Sequence, residues 1–204
     1  MLDEGAGRLG MSAMDKGRME AFTDGVIAVA ITIMVLDMKA PATPDLAGLA
    51  AEAPVFLAYG LSYVNVGIFW NNHHHMLQAS KHVDGKVLWA NLFLLFWITL
   101  VPFVLRWIDD SHVAPLPTAC YGAVLLMAAI GYLVLERALI ACNGADSQLA
   151  TAVGAKWREI GSGVGYAAGA GLAFVSPWMS IALYVVIAST WLIPDRRIEA
   201  TLKA

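Results

Sequence analysis

Apolar residues in this chain fall in long, nearly unbroken runs, separated by short polar intervals. The runs predict six helices, over residues 22–38, 55–72, 87–108, 118–141, 160–175 and 178–193. Most reach the ~17–25 residues that a helix needs to cross ~30 Å of hydrocarbon. The last two are separated only by Ser176 and Pro177, so they form either a tight hairpin or one long kinked helix. Arg196, Arg197 and Lys203 beyond the final run favour the hairpin. The first 17 residues are polar and lack the apolar core and cleavage site of a signal peptide, so the first run is expected to be a retained helix. No internal repeat or linker divides residues 1–204, which read as one domain.

Composition sharpens the class. Charged residues make up only 14% of the chain and hydrophobic ones 59%, with a mean hydropathy of +0.65. Soluble domains carry roughly a quarter charged residues, so the expectation is an all-α, polytopic membrane protein whose first partner is the lipid bilayer. With six spans and a cytoplasmic N-terminus, 11 of the 13 Lys and Arg fall on the inner side, leaving only Lys39 and Arg106 outside. That split follows the positive-inside rule and puts both termini in the cytoplasm. The acidic residues Asp37, Asp45, Glu52, Asp109 and Asp110 fall outside, where a cation would find them attractive. A net charge of −3 offers no basic excess for nucleic acid.

Polar residues inside a span are costly and point to sites. In the first run Asp24 lies about one turn inside the apolar stretch. At ~100° per residue, Val29, Ile33 and Leu36 share a stripe ~60° wide, with Thr32 ~60° from Val29 and Asp24 ~140° away. One face is therefore branched and apolar, while the carboxylate points elsewhere. Geometry alone leaves the stripe free to face lipid, another helix or a pore.

Arg18-x-x-x-Phe22-Thr23-Asp24-Gly25, followed by Ala-Val-Ala-Ile-Thr, resembles the first-helix signature of the prokaryotic members of the transmembrane protein 175 family. The resemblance continues through Ser62-Tyr63 and Trp70-x-x-His73-His74 to Asn91-Leu-x-x-Leu95 and Pro102-Phe103. It implies a potassium-permeable channel of the bacterial cytoplasmic membrane, a homotetramer with the first helix of each subunit lining a central pore. On that likeness Val29, Ile33 and Leu36 form the apolar constriction and Thr32 influences selectivity. Arg18, Asp24, Trp70, His73 and Asn91 would tie the first three helices together. Thr23 stands where the family usually has serine and keeps the hydroxyl; Val29 is smaller than the Ile or Leu implied at the innermost ring.

Three other motifs read as structure. Consecutive residues splay by ~100° on a helix, so His73, His74 and His75 cannot converge on one metal ion. Gly163-Val164-Gly165-Tyr166-Ala167 resembles a potassium-channel filter but sits in a run of small residues with helical character, where Gly161, Gly165 and Gly169 suit close helix packing. Cys120 and Cys142 lie at opposite ends of the fourth run, ~33 Å apart and beyond disulfide reach. With no nucleophile motif, phosphate loop or dinucleotide fingerprint, the expectation is no enzyme, no cofactor and no metal: a channel for monovalent cations, potassium preferred, with Asp37 drawing cations to the outer mouth. The rival is a proton-coupled secondary transporter using Asp24 and His73 within one protomer; the missing half-repeat and broken-helix pair count against it.

Overall fold

The computed structural model describes residues 16–152 and 157–192. The N-terminal segment, Lys156, Ile193 and the terminal basic cluster Arg196, Arg197 and Lys203 lie outside them. The described residues form helices α1 (Lys16–Leu36), α2 (Leu46–Ala51), α3 (Ala53–Gln78), α4 (Gly85–Thr99), α5 (Val101–Asp110), α6 (Pro115–Asn143), α7 (Gln148–Ala152), α8 (Trp157–Leu172) and α9 (Pro177–Leu192). Four stretches, Lys16–Leu36, Ala53–Gln78, Gly85–Asp110 and Pro115–Asn143, are long and apolar enough to cross a bilayer. The helices α8 and α9 have 16 residues each, or ~24 Å at 1.5 Å per residue, which is shorter than a full hydrocarbon core.

Local chemistry explains the boundaries. The expected continuous helix over 87–108 is broken at Leu100, between α4 and α5, because Pro102 in the first turn of α5 supplies no N–H and crowds the carbonyl four residues back. Asp84 caps α4 by accepting the Val87 N–H at 2.9 Å, and Asp45 caps the short α2 through the Gly48 N–H at 2.7 Å. That bond, with the Thr43 hydroxyl, holds the Asp45 carboxyl below its usual range. Gly144 ends α6 with φ of 95°, in the left-handed region where glycine is favoured.

Side chains pin the α3–α4 turn to both neighbours. Lys16 Nζ donates to the Leu77 and Ser80 carbonyls at 2.9 and 3.0 Å, satisfying the C-terminal end of α3. From α6, Asn143 accepts the Lys81 and His82 N–H groups and donates to the His82 carbonyl. This end therefore gathers the start of α1, the end of α3, the start of α4 and the end of α6. The bundle core lies where α4 crosses α6, around Leu94, Leu95, Leu125 and Leu135.

Serine and proline turn α8 back into α9 as a hairpin, not one kinked helix: Ser180 Oγ donates to the Gly169 carbonyl at 2.8 Å. The small residues of α8 admit α9 side chains, Gly165 facing Ile187 and Gly169 facing Tyr184, and the filter-like Gly163–Ala167 is ordinary helix. A Cβ on Gly122 would lie 2.0 Å from Tyr184 Oη. Gly122→Ala should therefore lower stability by about 1–3 kcal/mol through overpacking, with partial recovery on adding Tyr184→Phe. Thermal unfolding in detergent checks both; equal midpoints for Gly122→Ala and the parent protein would show that the ring yields at no cost.

Candidate functional site

The helix α1 is amphipathic by packing, not by polarity. Met19, Thr23, Ile27, Ala30 and Met34 are buried against the bundle, at the i, i+4, i+8, i+11 and i+15 spacing of one helical face. Val29, Ile33 and Leu36 are 57%, 41% and 76% exposed, and at ~100° per residue they lie ~110° round from the buried row. Thr32 is exposed and ~180° from that row; its hydroxyl donates to the Ala28 carbonyl at 2.8 Å. Val29 and Ile33 of this stripe border an open groove of about 750 Å³, whose far wall is Thr99, Pro102 and Phe103 at the α4–α5 break.

A buried polar triad fastens the inward face of α1. Thr23, His73 and Asn91 have 0%, 1% and 2% of their surface exposed and come from α1, α3 and α4. Asn91 Nδ2 donates to Thr23 Oγ1 at 2.9 Å, and Asn91 Oδ1 accepts from His73 Nε2 at 2.9 Å. A carboxamide oxygen can only accept, so Nε2 is the protonated ring nitrogen. One asparagine thereby satisfies donors and acceptors on two other helices, as buried polar groups require.

Asp24 and Trp70 make a second, more exposed tie: the indole Nε1–H donates to Asp24 Oδ1 at 2.7 Å. Nearby, His74 stacks on Trp70 with ring centroids 6.1 Å apart and hydrogen-bonds Glu20 at 3.0 Å and Gln78 at 2.8 Å. His73 and His74 thus point to different partners. Among the described residues no three His, Cys, Asp or Glu side chains are grouped to hold a metal.

Two sequence expectations change at this point. Arg18 is exposed, and among the described residues no hydrogen bond or ion pair joins it to Asp24 or to a histidine, so within one protomer the triad member from α1 is Thr23 rather than Arg18. Two of the acidic residues expected on the outer side, Asp37 and Asp110, are also ion-paired. Arg106 donates to Asp37 Oδ1 at 3.0 Å and lies 3.7 Å from Asp110, while Lys39 pairs with Asp110. That carboxylate raises the Lys39 ammonium above its usual range. Sequence reasoning missed Thr23, Glu20 and Arg106 as partners. The signal available for Thr23 was its hydroxyl one residue before Asp24, on the face that turns inward.

Fold and site together define a helical membrane protein whose first helix is anchored through polar side chains on one face and left bare on another. The chain belongs to the TMEM175 family. The family model described as "Endosomal/lysosomal potassium channel TMEM175" matches residues 18–102, the stretch that carries α1, α3, α4 and both polar ties. A protein named potassium channel from Chryseobacterium sp. (strain P1-3) is 49% identical over 93% of this chain and 99% of its own length. The human endosomal/lysosomal proton channel TMEM175 is 37% identical over 41% of this chain, which corresponds to 19% of the human protein. Among solved structures, a lysosomal potassium-selective channel TMEM175 homolog from Chamaesiphon minutus superposes with a TM-score of 0.77 at 26% identity, covering 87% of this chain and 96% of that one.

Proposed function

We propose that this chain is the subunit of a homotetrameric, potassium-preferring cation channel of the bacterial cytoplasmic membrane, with six membrane helices and both termini cytoplasmic. Four copies of α1 surround the pore, and Val29, Ile33 and Leu36 form its apolar constriction, with Thr32 beside it. The observation that carries the reading is the bare face of α1. A helix clamped on one side by a buried triad, yet exposing three branched apolar residues in register on another, is suited to a symmetric assembly about that exposed face. Relatives named as potassium channels along almost the full chain support the choice of ion.

The mechanism is control of hydration. A narrow apolar neck raises the cost for an ion whose water shell must be squeezed or partly shed, and it closes by dewetting. Potassium holds its water less tightly than sodium, so such a neck favours it without a cage of carbonyls. No cofactor enters the scheme, and none of the site residues is asked to do covalent chemistry. The reversal potential of purified protein in bilayers under potassium and sodium gradients tests the reading. A potential shifted toward the potassium equilibrium, with unitary currents, supports it; strict coupling of potassium flux to protons would instead mark a transporter. The pairing of Asp24 with Trp70 and of His73 with Asn91 suits anchoring better than a relay between Asp24 and His73.

Outer charge should modulate the current. Asp37→Asn should lower conductance at low ionic strength, and Arg106→Gln, which leaves Asp37 uncompensated, should raise it. Both differences should fade at ~1 M salt, where the Debye length is ~3 Å. Conductance against salt concentration for the two variants reads this directly; unchanged values for both at low salt would remove the outer cluster from the permeation path.

A further inference from the structure

Away from the face of α1, a small cavity lies between α3, α6, α8 and α9. The space open to water centres is about 40 Å³, and its walls include Asn65, Asn72, Ala129, Tyr132, Ser162 and Tyr166. Several of its polar groups keep hydrogen-bonding capacity after their protein bonds are counted. Asn65 donates to the Leu61 carbonyl at 3.0 Å and accepts from the Tyr166 hydroxyl at 3.2 Å; its second N–H is directed at the Tyr121 hydroxyl, which leaves one carboxamide lone pair. Ser162 Oγ donates to the Arg158 carbonyl and accepts the Trp191 N–H, leaving one lone pair. Tyr132 Oη reaches the Asn72 carbonyl only at 3.5 Å, a separation at which a bridging water is the natural supplement. The Asn72 carboxamide has no hydrogen-bond partner among the described residues.

We propose that this cavity is a hydrated site, holding two or three ordered water molecules inside each protomer. A water needs at least about 10–15 Å³ of such space and two to four polar partners, and about 40 Å³ gives room for two or three. Here the volume and the donor and acceptor inventory agree. Water is the fitting ligand because no lipid chain can satisfy amides and phenols in a membrane interior. The site sits behind α3 on the side away from α1, so it is separate from the proposed pore.

The test is radiolytic footprinting of the full chain in lipid nanodiscs, where hydroxyl radicals born from a bound water oxidise the side chains it touches. Tyr166 is the reporter, and Tyr184, equally buried but not part of the cavity wall, is the dry control. Labelling of Tyr166 without Tyr184 is the expected result; both unlabelled would overturn the proposal. Filling the space with Ala129→Leu should abolish the Tyr166 label and lower Tm, because it expels water from polar groups that then lack partners. A higher Tm would mean that a dry apolar void had been filled, which also overturns it. If Ala129→Leu does not fold, the parent protein's Tyr166 label still decides.

Discussion

Replacing Ile33 or Leu36 by Ala should raise potassium conductance severalfold and erode discrimination against sodium. Each substitution changes a proposed ring at four points at once, widening an apolar neck whose barrier depends on how tightly it excludes water. Val29→Ile should act in the opposite sense, narrowing the ring that this sequence leaves wider and reducing flux. The two directions matter more than either magnitude, since general destabilisation would lower current in all three variants. A stripe facing lipid would leave all three nearly unchanged, because Val29, Ile33 and Leu36 touch little within their own protomer. Planar-bilayer recordings under bi-ionic potassium and sodium, with assembly verified by size, separate these outcomes. Unchanged current and reversal potential in all three would take the stripe out of the pore.

The second large effect is expected at Asn91. Asn91→Leu keeps a similar volume but leaves the His73 N–H and the Thr23 hydroxyl buried without their shared partner. At about 1–3 kcal/mol for each stranded group, the loss is about 2–6 kcal/mol. That exceeds the ~0.6 kcal/mol typical of one hydrogen bond between membrane helices, because one substitution orphans two helices. Asp24→Ala should cost less, about 1 kcal/mol, since Trp70 is 42% exposed and can turn its N–H to water or headgroups. Thermal unfolding of both variants, with tetramer yield, ranks them; an Asn91→Leu protein as stable as the parent would mean that the triad is dispensable for holding α1.

These two predictions differ in how far the sequence alone supports them. The apolar stripe was legible because α-helical geometry depends only on spacing: residues four and seven apart share a face whatever surrounds the helix. The triad was legible in part. His73 and Asn91 stood out as polar residues inside apolar runs, where each must find a partner, but nothing local said that they would find each other and Thr23. Arg18 and Asp24 were the residues of α1 expected to make the tie; only the direction in which α1 packs turns Thr23 inward and leaves Arg18 exposed.

What the sequence by itself determined is the set of properties governed by short range. Run lengths set the helices, the basic residues beyond the final run favoured a hairpin at the Ser176–Pro177 step, and the order of motifs through residue 103 set the family. Tertiary structure decided whatever joins residues far apart in the chain. It joined Asp24 to Trp70 and Thr23 to Asn91, 46 and 68 residues apart, whereas the break of 87–108 at Leu100 is local, set by Pro102. Tertiary structure also set Arg106 against Asp37, 69 residues away, so that part of what read as a bare acidic cluster is ion-paired. The physical reason is common to all three pairings. A polar side chain in a nonpolar medium takes the partner that packing brings within hydrogen-bond range, and packing is a property of the whole bundle.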